Sequence, residues 1–225
     1  MHRLDYWSSR RVIGTVFVLN AIMVLLGYLA GHLSKHYSEN MAGTYISGIL
    51  LILLGVISFR IYRNRPGHLI WLIMAAGFMF LAYDDLFKFH EGLDKDIHKF
   101  FNITETSLTD RIDDIIIAIY AFLGVATLYF YRAEITRHPV LFAYLGIGFA
   151  VVGLSVILDI VTNDAAILQW AGIPDTILPG IKKSLGTLEE VAKLMAEAIF
   201  LAGFLEVLRR VKTEAVGLAK ASVST

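Results

Sequence analysis

The sequence contains no cysteine, and this absence removes several kinds of chemistry at once. Disulfide frameworks, thiolate metal sites and cysteine nucleophiles are excluded, and cysteine use gives no indication of the redox compartment. Any reactive chemistry must therefore rest on histidine, aspartate and glutamate side chains.

Charged residues are also scarce. They make up 18% of the chain, against roughly 25% in ordinary soluble domains, whereas hydrophobic residues reach 56%. Lysine plus arginine and aspartate plus glutamate both total 20, so the net charge is zero. This balance argues against nucleic-acid binding and against a polybasic lipid-binding patch. The composition instead predicts a chain that lies in lipid.

Several apolar segments are long enough to cross a membrane. A helix needs about 20 apolar residues to span the hydrocarbon core, and backbone in lipid must satisfy its own hydrogen bonds. We therefore expect an all-α integral membrane protein with a single domain, a bundle of six transmembrane helices with short interfacial helices in the outer loops. The first segment is too long for a signal-peptide core and is interpreted as a retained helix. The predicted spans are residues 12–32, 41–62, 68–85, 112–131, 140–159 and 188–208.

Arginines are distributed unevenly over the two sides of the predicted bundle. Basic residues are enriched in cytoplasmic loops, so their side predicts the orientation. We expect both termini in the cytoplasm, an acidic outer face and, by default, a bacterial inner membrane. The other side carries Arg111, whereas the arginine-rich side carries Arg3, Arg10, Arg11, Arg60, Arg63, Arg65, Arg132, Arg137, Arg209 and Arg210.

Possible metal ligands gather at the outer ends of the predicted helices. The stretch from Asp84 to Glu91 contains four of them within about two helical turns. His32 and His36 share a helix face if the first helix continues past Ser34. Imidazole and carboxylate groups of this kind suit zinc, iron, copper or manganese. The predicted ligands of a divalent transition metal are Asp84, Asp85, His90, Glu91, His32, His36 and Asp159.

Three of these aspartates lie where their negative charge is unfavourable and needs a stabilising partner. Asp84, Asp85 and Asp159 end outward-running helices, where the helix dipole is already negative and disfavours a carboxylate. A metal cation, a basic side chain or protonation would each meet this need.

The sixth predicted helix carries charges at membrane depth. Glu189, Lys193 and Glu197 follow one another at four-residue spacing and form one stripe, next to Glu190. Glu197 falls near the bilayer midplane, where an ionisable residue costs roughly 2.5 to 3.5 kcal/mol unless it faces the bundle interior with a partner. Lys193 is the expected partner. These four residues are candidates for proton transfer in catalysis or transport.

Three functions follow from these observations. The first is a divalent-metal-dependent membrane enzyme that acts on a lipid-like or membrane-dissolved substrate. The second is a non-catalytic accessory or scaffold subunit, with other membrane subunits or further copies of the chain as partners. The third is a proton- or cation-coupled transporter that uses Glu197 and Lys193. Membrane lipids are expected partners in all three, and nucleic acid in none.

Overall fold

Four helices are long and apolar enough to cross a membrane. The computed structural model describes residues 9–37, 41–102, 112–163 and 165–223, and its regular secondary structure in these ranges is helical. The four helices are α1 (Ser9–Leu29), α2 (Ala42–Asn64), α3 (Ile70–Phe87) and α7 (Pro139–Asn163). They coincide with the first, second, third and fifth predicted spans.

The other two predicted spans also fold as helices, each with a peculiarity. Helix α5 (Ile112–Phe130) has a shorter apolar part, Ile115–Phe130, and α9 (Leu178–Val223) is 46 residues long and carries charges along its course. Short helices occupy the loops between the spans. These are α4 (Phe89–Phe101), α6 (Arg132–Ile135) and α8 (Ala165–Trp170), together with a 3-10 turn at Lys35–Tyr37.

Helix α9 forms the centre of the bundle. It packs against α1, α2 and α7, while α2 also packs against α3, and α5 has its main contacts with α3 and α4. Small residues allow the close approach, since Ala198 and Ala202 are fully buried. A Cβ added to Gly203 would lie 2.6 Å from the Cβ of Tyr144 on α7. The core therefore depends on small residues along α9.

The first helix ends earlier than the sequence predicts. Gly31 adopts a left-handed conformation, with φ at +70°, which glycine allows at little cost and which ends a helix. The chain then turns back over α1, so that a Cβ on Gly27 would lie 2.6 Å from the backbone oxygen of Leu33. His32 and His36 consequently do not share a helical face, and the predicted pairing of these two histidines is wrong.

The third span and the following interfacial helix are separated by a break. Lys88 has φ at 55°, and its amide donates a hydrogen bond to the backbone oxygen of Asp84 over 2.7 Å. We call the end of the bundle that holds Leu29 and Phe87 the outer end, and the end that holds Ser9 and Arg65 the inner end. Arg3 and Arg111, which the orientation argument used, lie outside the described residues.

Candidate functional site

Lys193 and Asp85 form an ion pair between α9 and α3. Lys193 Nζ donates a hydrogen bond to Asp85 Oδ1 over 2.7 Å. Asp85 lies in the last turn of α3, where the helix dipole disfavours a carboxylate. The ammonium group of Lys193 offsets this unfavourable interaction. The second oxygen, Asp85 Oδ2, is buried and has no hydrogen-bond partner among the described residues.

Glu197 lies one turn further inward on α9 and is paired with a hydroxyl group. Its side chain is only 8% exposed, and Ser47 Oγ on α2 donates a hydrogen bond to Glu197 Oε1 over 2.7 Å. The other oxygen, Glu197 Oε2, is buried and lacks a hydrogen-bond partner in the described part of the chain. Lys193, the expected partner of Glu197, is bonded to Asp85 instead.

Further carboxylates lie near the outer end of the same helix. Glu189 and Glu190 are partly buried, and Asp159 of α7 is close enough for its charge to act on both. Ser155 Oγ donates a hydrogen bond to the backbone oxygen of Glu189 over 3.1 Å, which ties α7 to α9. We call the following side chains the carboxylate cluster, in which acids outnumber the lysine: Asp85, Asp159, Glu189, Glu190, Lys193 and Glu197.

Asp84 has a different role from its neighbour. Its carboxylate is buried and accepts a hydrogen bond from the amide of His90 over 2.8 Å, while Asp84 Oδ2 lies 2.8 Å from His90 Nδ1. The amide belongs to the first turn of α4, where unpaired N–H groups favour a carboxylate. Asp84 therefore caps the next helix, and this role compensates its place at the end of α3.

The remaining predicted metal ligands are not brought to one point. Glu91 pairs with Lys88 at 3.2 Å and with Lys95 at 3.9 Å, and His32 is exposed on the segment after α1. Within the described residues, no group of three or more His, Asp or Glu side chains could hold a metal ion. The prediction of a divalent-metal site is therefore not supported, because the ligands are engaged with protein partners or lie apart.

A tyrosine that the sequence reasoning missed reaches into the bundle from the outer turn. Tyr37 is 6% exposed, and its hydroxyl donates to Asn20 Oδ1 on α1 over 2.9 Å. Burial, followed by the negative charge of Glu190, raises the pKa of Tyr37 to about 12. The available signal was Asn20, an amide in the middle of an otherwise apolar run.

A second missed feature is a buried carboxylate at the inner end. Glu134 is 6% exposed and joins the loop between α2 and α3 to the loop before α7. Burial lowers the pKa of His138, while Glu134 opposes this effect and Arg65 reinforces it. No pattern in the sequence indicates this network, because Arg65, His68 and Trp71 lie far from Glu134 along the chain. The partners of Glu134, at 3.1 to 3.6 Å, are Arg65, His68, Trp71, Arg137 and His138.

The helical fold, its four apolar helices and the buried charges define a helical membrane protein. The chain belongs to the family described as a domain of unknown function (DUF8692), which matches residues 6–208. Comparisons with curated proteins and with solved structures give no match. The matched range includes the whole carboxylate cluster.

Proposed function

We propose that this chain is a proton-coupled transporter in which Glu197 takes up and releases a proton inside the bundle. One observation carries the proposal. Glu197 is buried, with one oxygen hydrogen-bonded to Ser47 and the other without a partner among the described residues, while the lysine one turn away is held by Asp85.

This arrangement favours the neutral carboxyl group over the carboxylate. Burying a charge without a paired cation is costly in a low-dielectric interior, and a single hydroxyl donor does not offset that cost. A protonated Glu197 can accept from Ser47 with one oxygen and carries its proton on the other. A change in surroundings that brings Lys193 or water closer would release the proton, as coupling requires.

The distribution of polar groups indicates a carrier more than an open channel. Polar side chains line α9 from Glu189 to Glu197, whereas the next eight residues, Ala198 to Leu205, are apolar and closely packed. A channel would need polar groups along its whole length. The route to Glu197 is therefore expected to start at the outer end, and access from the inner end requires another conformation. Buried side chains of this apolar stretch are Ala198, Ile199, Leu201, Ala202, Phe204 and Leu205.

In this proposal α5 and α9 also cross the membrane, which gives the six spans that the sequence predicts. Ser9, at the start of α1, donates a hydrogen bond to Glu206 of α9. Because α1 and α9 run side by side from this contact, α9 traverses the same thickness as α1. At about 1.5 Å per residue, Glu197 lies roughly 13 Å outward of Glu206, near the middle of a hydrocarbon core about 30 Å thick.

The two other expected functions have less support. The metal-dependent enzyme needs ligands that converge, and Asp84, Asp85 and Glu91 are each engaged with another protein group. An accessory subunit explains the apolar outer surface equally well, but it gives no reason for a buried carboxyl oxygen that has no hydrogen-bond partner in the described part of the chain.

The proposal is tested first by infrared difference spectroscopy of the purified protein between low and high pH. A protonated buried carboxyl group gives a carbonyl stretching band, and we expect Glu197→Gln to remove one such band. Glu206→Gln is the matched control on the same helix. Glu206 accepts hydrogen bonds from Ser9 and from Arg209 at the inner end, away from Glu197, so its substitution is expected to leave the Glu197 band in place.

Transport itself is tested in liposomes that contain a pH-sensitive dye. A sodium or potassium gradient is imposed across the membrane, since a cluster rich in carboxylates favours a cation as the coupled solute. We expect proton movement with the wild type and with Glu206→Gln, and little with Glu197→Gln. An unchanged infrared band, or equal proton movement in all three proteins, would overturn the proposal.

A further inference from the structure

We propose that Tyr37 is the outer gate of the Glu197 site, and that the hydrogen bond between Tyr37 and Asn20 holds this gate closed. The inference rests on the proposed function, because the site that the gate closes is the proton-binding one. Tyr37 is a positioning residue in this proposal, since it controls access and does not itself bind the transported proton.

The segment that carries Tyr37 folds back into the bundle at two glycines. Gly27 of α1 meets the backbone of Leu33, and a Cβ on Gly43 of α2 would lie 3.3 Å from both the backbone oxygen of His36 and the ring of Tyr37. Larger residues at these glycines would push the segment outward. The turn at Lys35–Tyr37 therefore lies between α1 and α2 rather than above them.

The hydroxyl group of Tyr37 reaches the depth of the carboxylate cluster. Asn20 lies about 16 Å outward of Ser9 at 1.5 Å per residue, and α9 runs antiparallel to α1 from the contact between Ser9 and Glu206. About 16 Å outward from Glu206 along α9 lies Met195, between Lys193 and Glu197. The ring of Tyr37 packs against Gly43, which lies one helical turn outward of Ser47 on α2. Ser47 is the partner of Glu197.

The side chains of Tyr37 and Asn20 have the properties that a reversible gate needs. The aromatic ring excludes water from the space between α1 and α2, while the hydrogen bonding of its hydroxyl group to Asn20 fixes its position. Tyr37 OH is 2.9 Å from Asn20 Oδ1 and 3.2 Å from the backbone oxygen of Asn20. The raised pKa of Tyr37 keeps the hydroxyl protonated and able to donate throughout the physiological pH range. Opening therefore requires movement of the ring, not its ionisation.

The absence of native cysteine provides the experiment. Ser47→Cys places a thiol beside Glu197, and its rate of reaction with a membrane-impermeant, positively charged methanethiosulfonate reports access to the site. We compare this variant alone and combined with Tyr37→Phe or Tyr37→Ala, in intact cells and in inverted vesicles. Tyr37→Phe removes only the hydroxyl group, so it tests the hydrogen bond while the ring remains.

We expect Tyr37→Phe to accelerate labelling from the outer side about threefold to tenfold, the size of one lost hydrogen bond, and Tyr37→Ala to accelerate it more. Tyr45→Ala is the matched control, since Tyr45 is 56% exposed on the outside of α2. Labelling from the inner side is expected to stay slow. Unchanged rates from the outer side, or equal acceleration from both sides, would overturn the gate.

The outcome separates the gate from the proton site. Labelling of Ser47→Cys requires no titration of Glu197, so the same acceleration is expected when Glu197→Gln is added. Unchanged labelling, together with an infrared band that depends on Glu197, rejects the gate and keeps the proton site. Accelerated labelling without such a band rejects the proton site and keeps the gate.

Discussion

Lys193 donates a hydrogen bond to Asp85 across the bundle, although Glu197 lies one turn away on its own helix. This pairing stabilises two charged groups that would each raise the free energy of the folded state if unpaired. They are a lysine at membrane depth and a carboxylate at the C-terminal end of a helix. It also leaves Glu197 with a neutral partner. In the proposed function, the pairing of Lys193 with Asp85 is a structural ion pair, and it leaves Glu197 as the group that exchanges a proton.

Asp85→Asn is expected to destabilise the protein, because it leaves the ammonium of Lys193 without its carboxylate. Breaking a fully buried pair costs about 3 to 5 kcal/mol, and the Lys193 side chain is 40% exposed, so we expect about 1 to 3 kcal/mol in the free energy of unfolding. The measurement is thermal or denaturant unfolding in detergent. Asp96→Asn, at an exposed position on α4, is the control.

A double-mutant cycle makes this prediction specific. Asp85→Asn combined with Lys193→Met removes both charges, and the double variant should lose less stability than the sum of the single variants. Additive losses would mean that Lys193 is compensated by other groups of the carboxylate cluster.

The spacing of residues on one helix could be predicted from the sequence, and the contacts between helices could not. Period and depth identified Glu189, Lys193 and Glu197 as one stripe, and the structure keeps them on one helix. The partner of Lys193 depends on which helix lies beside α9. Local spacing favours Glu197, whereas packing brings Asp85 within 2.7 Å.

Helix ends were predicted less well than helix centres. The apolar run continues to Gly31, but a left-handed glycine and the return of Leu33 over Gly27 end α1 at Leu29. The same return carries Tyr37 into the bundle. A hydropathy pattern does not show that a segment folds back onto a helix. This return of the chain explains both the wrong pairing of the two histidines and the tyrosine that the sequence did not indicate.

Stability is expected to fall at mildly acidic pH because of His138. Its pKa in the folded protein lies below the ordinary value of 6.5, mainly through burial, with Arg65 reinforcing and both Glu134 and Glu214 opposing the shift. The unfolded chain therefore binds a proton more readily than the folded one. The stabilisation is complete above pH 6.5 and is lost as pH falls towards the lowered pKa.

The test follows thermal unfolding of wild type and His138→Gln from about pH 7 to about pH 5, the range around the ordinary histidine pKa. His138→Gln should lose less stability over this range, although it is less stable at neutral pH because it loses its contact with Glu134. His32→Gln, on the exposed outer segment, should follow the wild type. Parallel curves for all three proteins would contradict the assignment to His138.

Gly203→Ala is expected to separate α9 from α7. The new Cβ would lie 2.6 Å from the Cβ of Tyr144, a position that cannot move without the backbone of α7. Overpacking of this kind costs about 1 to 3 kcal/mol. Gly146→Ala, on α7, has no atom within 4 Å and should stabilise the protein by up to about 1 kcal/mol through helix propensity. A lower unfolding temperature for both variants would contradict the prediction, because helix propensity should then have stabilised Gly146→Ala.

The orientation of the bundle can be tested with the same cysteine-free background. Trp170 is 91% exposed on α8 near the outer end, and Thr136 is exposed in the loop before α7 at the inner end. Positive charge at the inner end predicts that this end faces the cytoplasm. In intact cells an impermeant thiol reagent should therefore label Trp170→Cys and leave Thr136→Cys unlabelled until the membrane is permeabilised. Labelling of both positions in intact cells would mean that α7, the helix between Thr136 and Trp170, does not cross the membrane. The reverse pattern would mean that the chain has the opposite orientation in the membrane. In the proposed function, the carboxylate cluster would then take up protons from the cytoplasm.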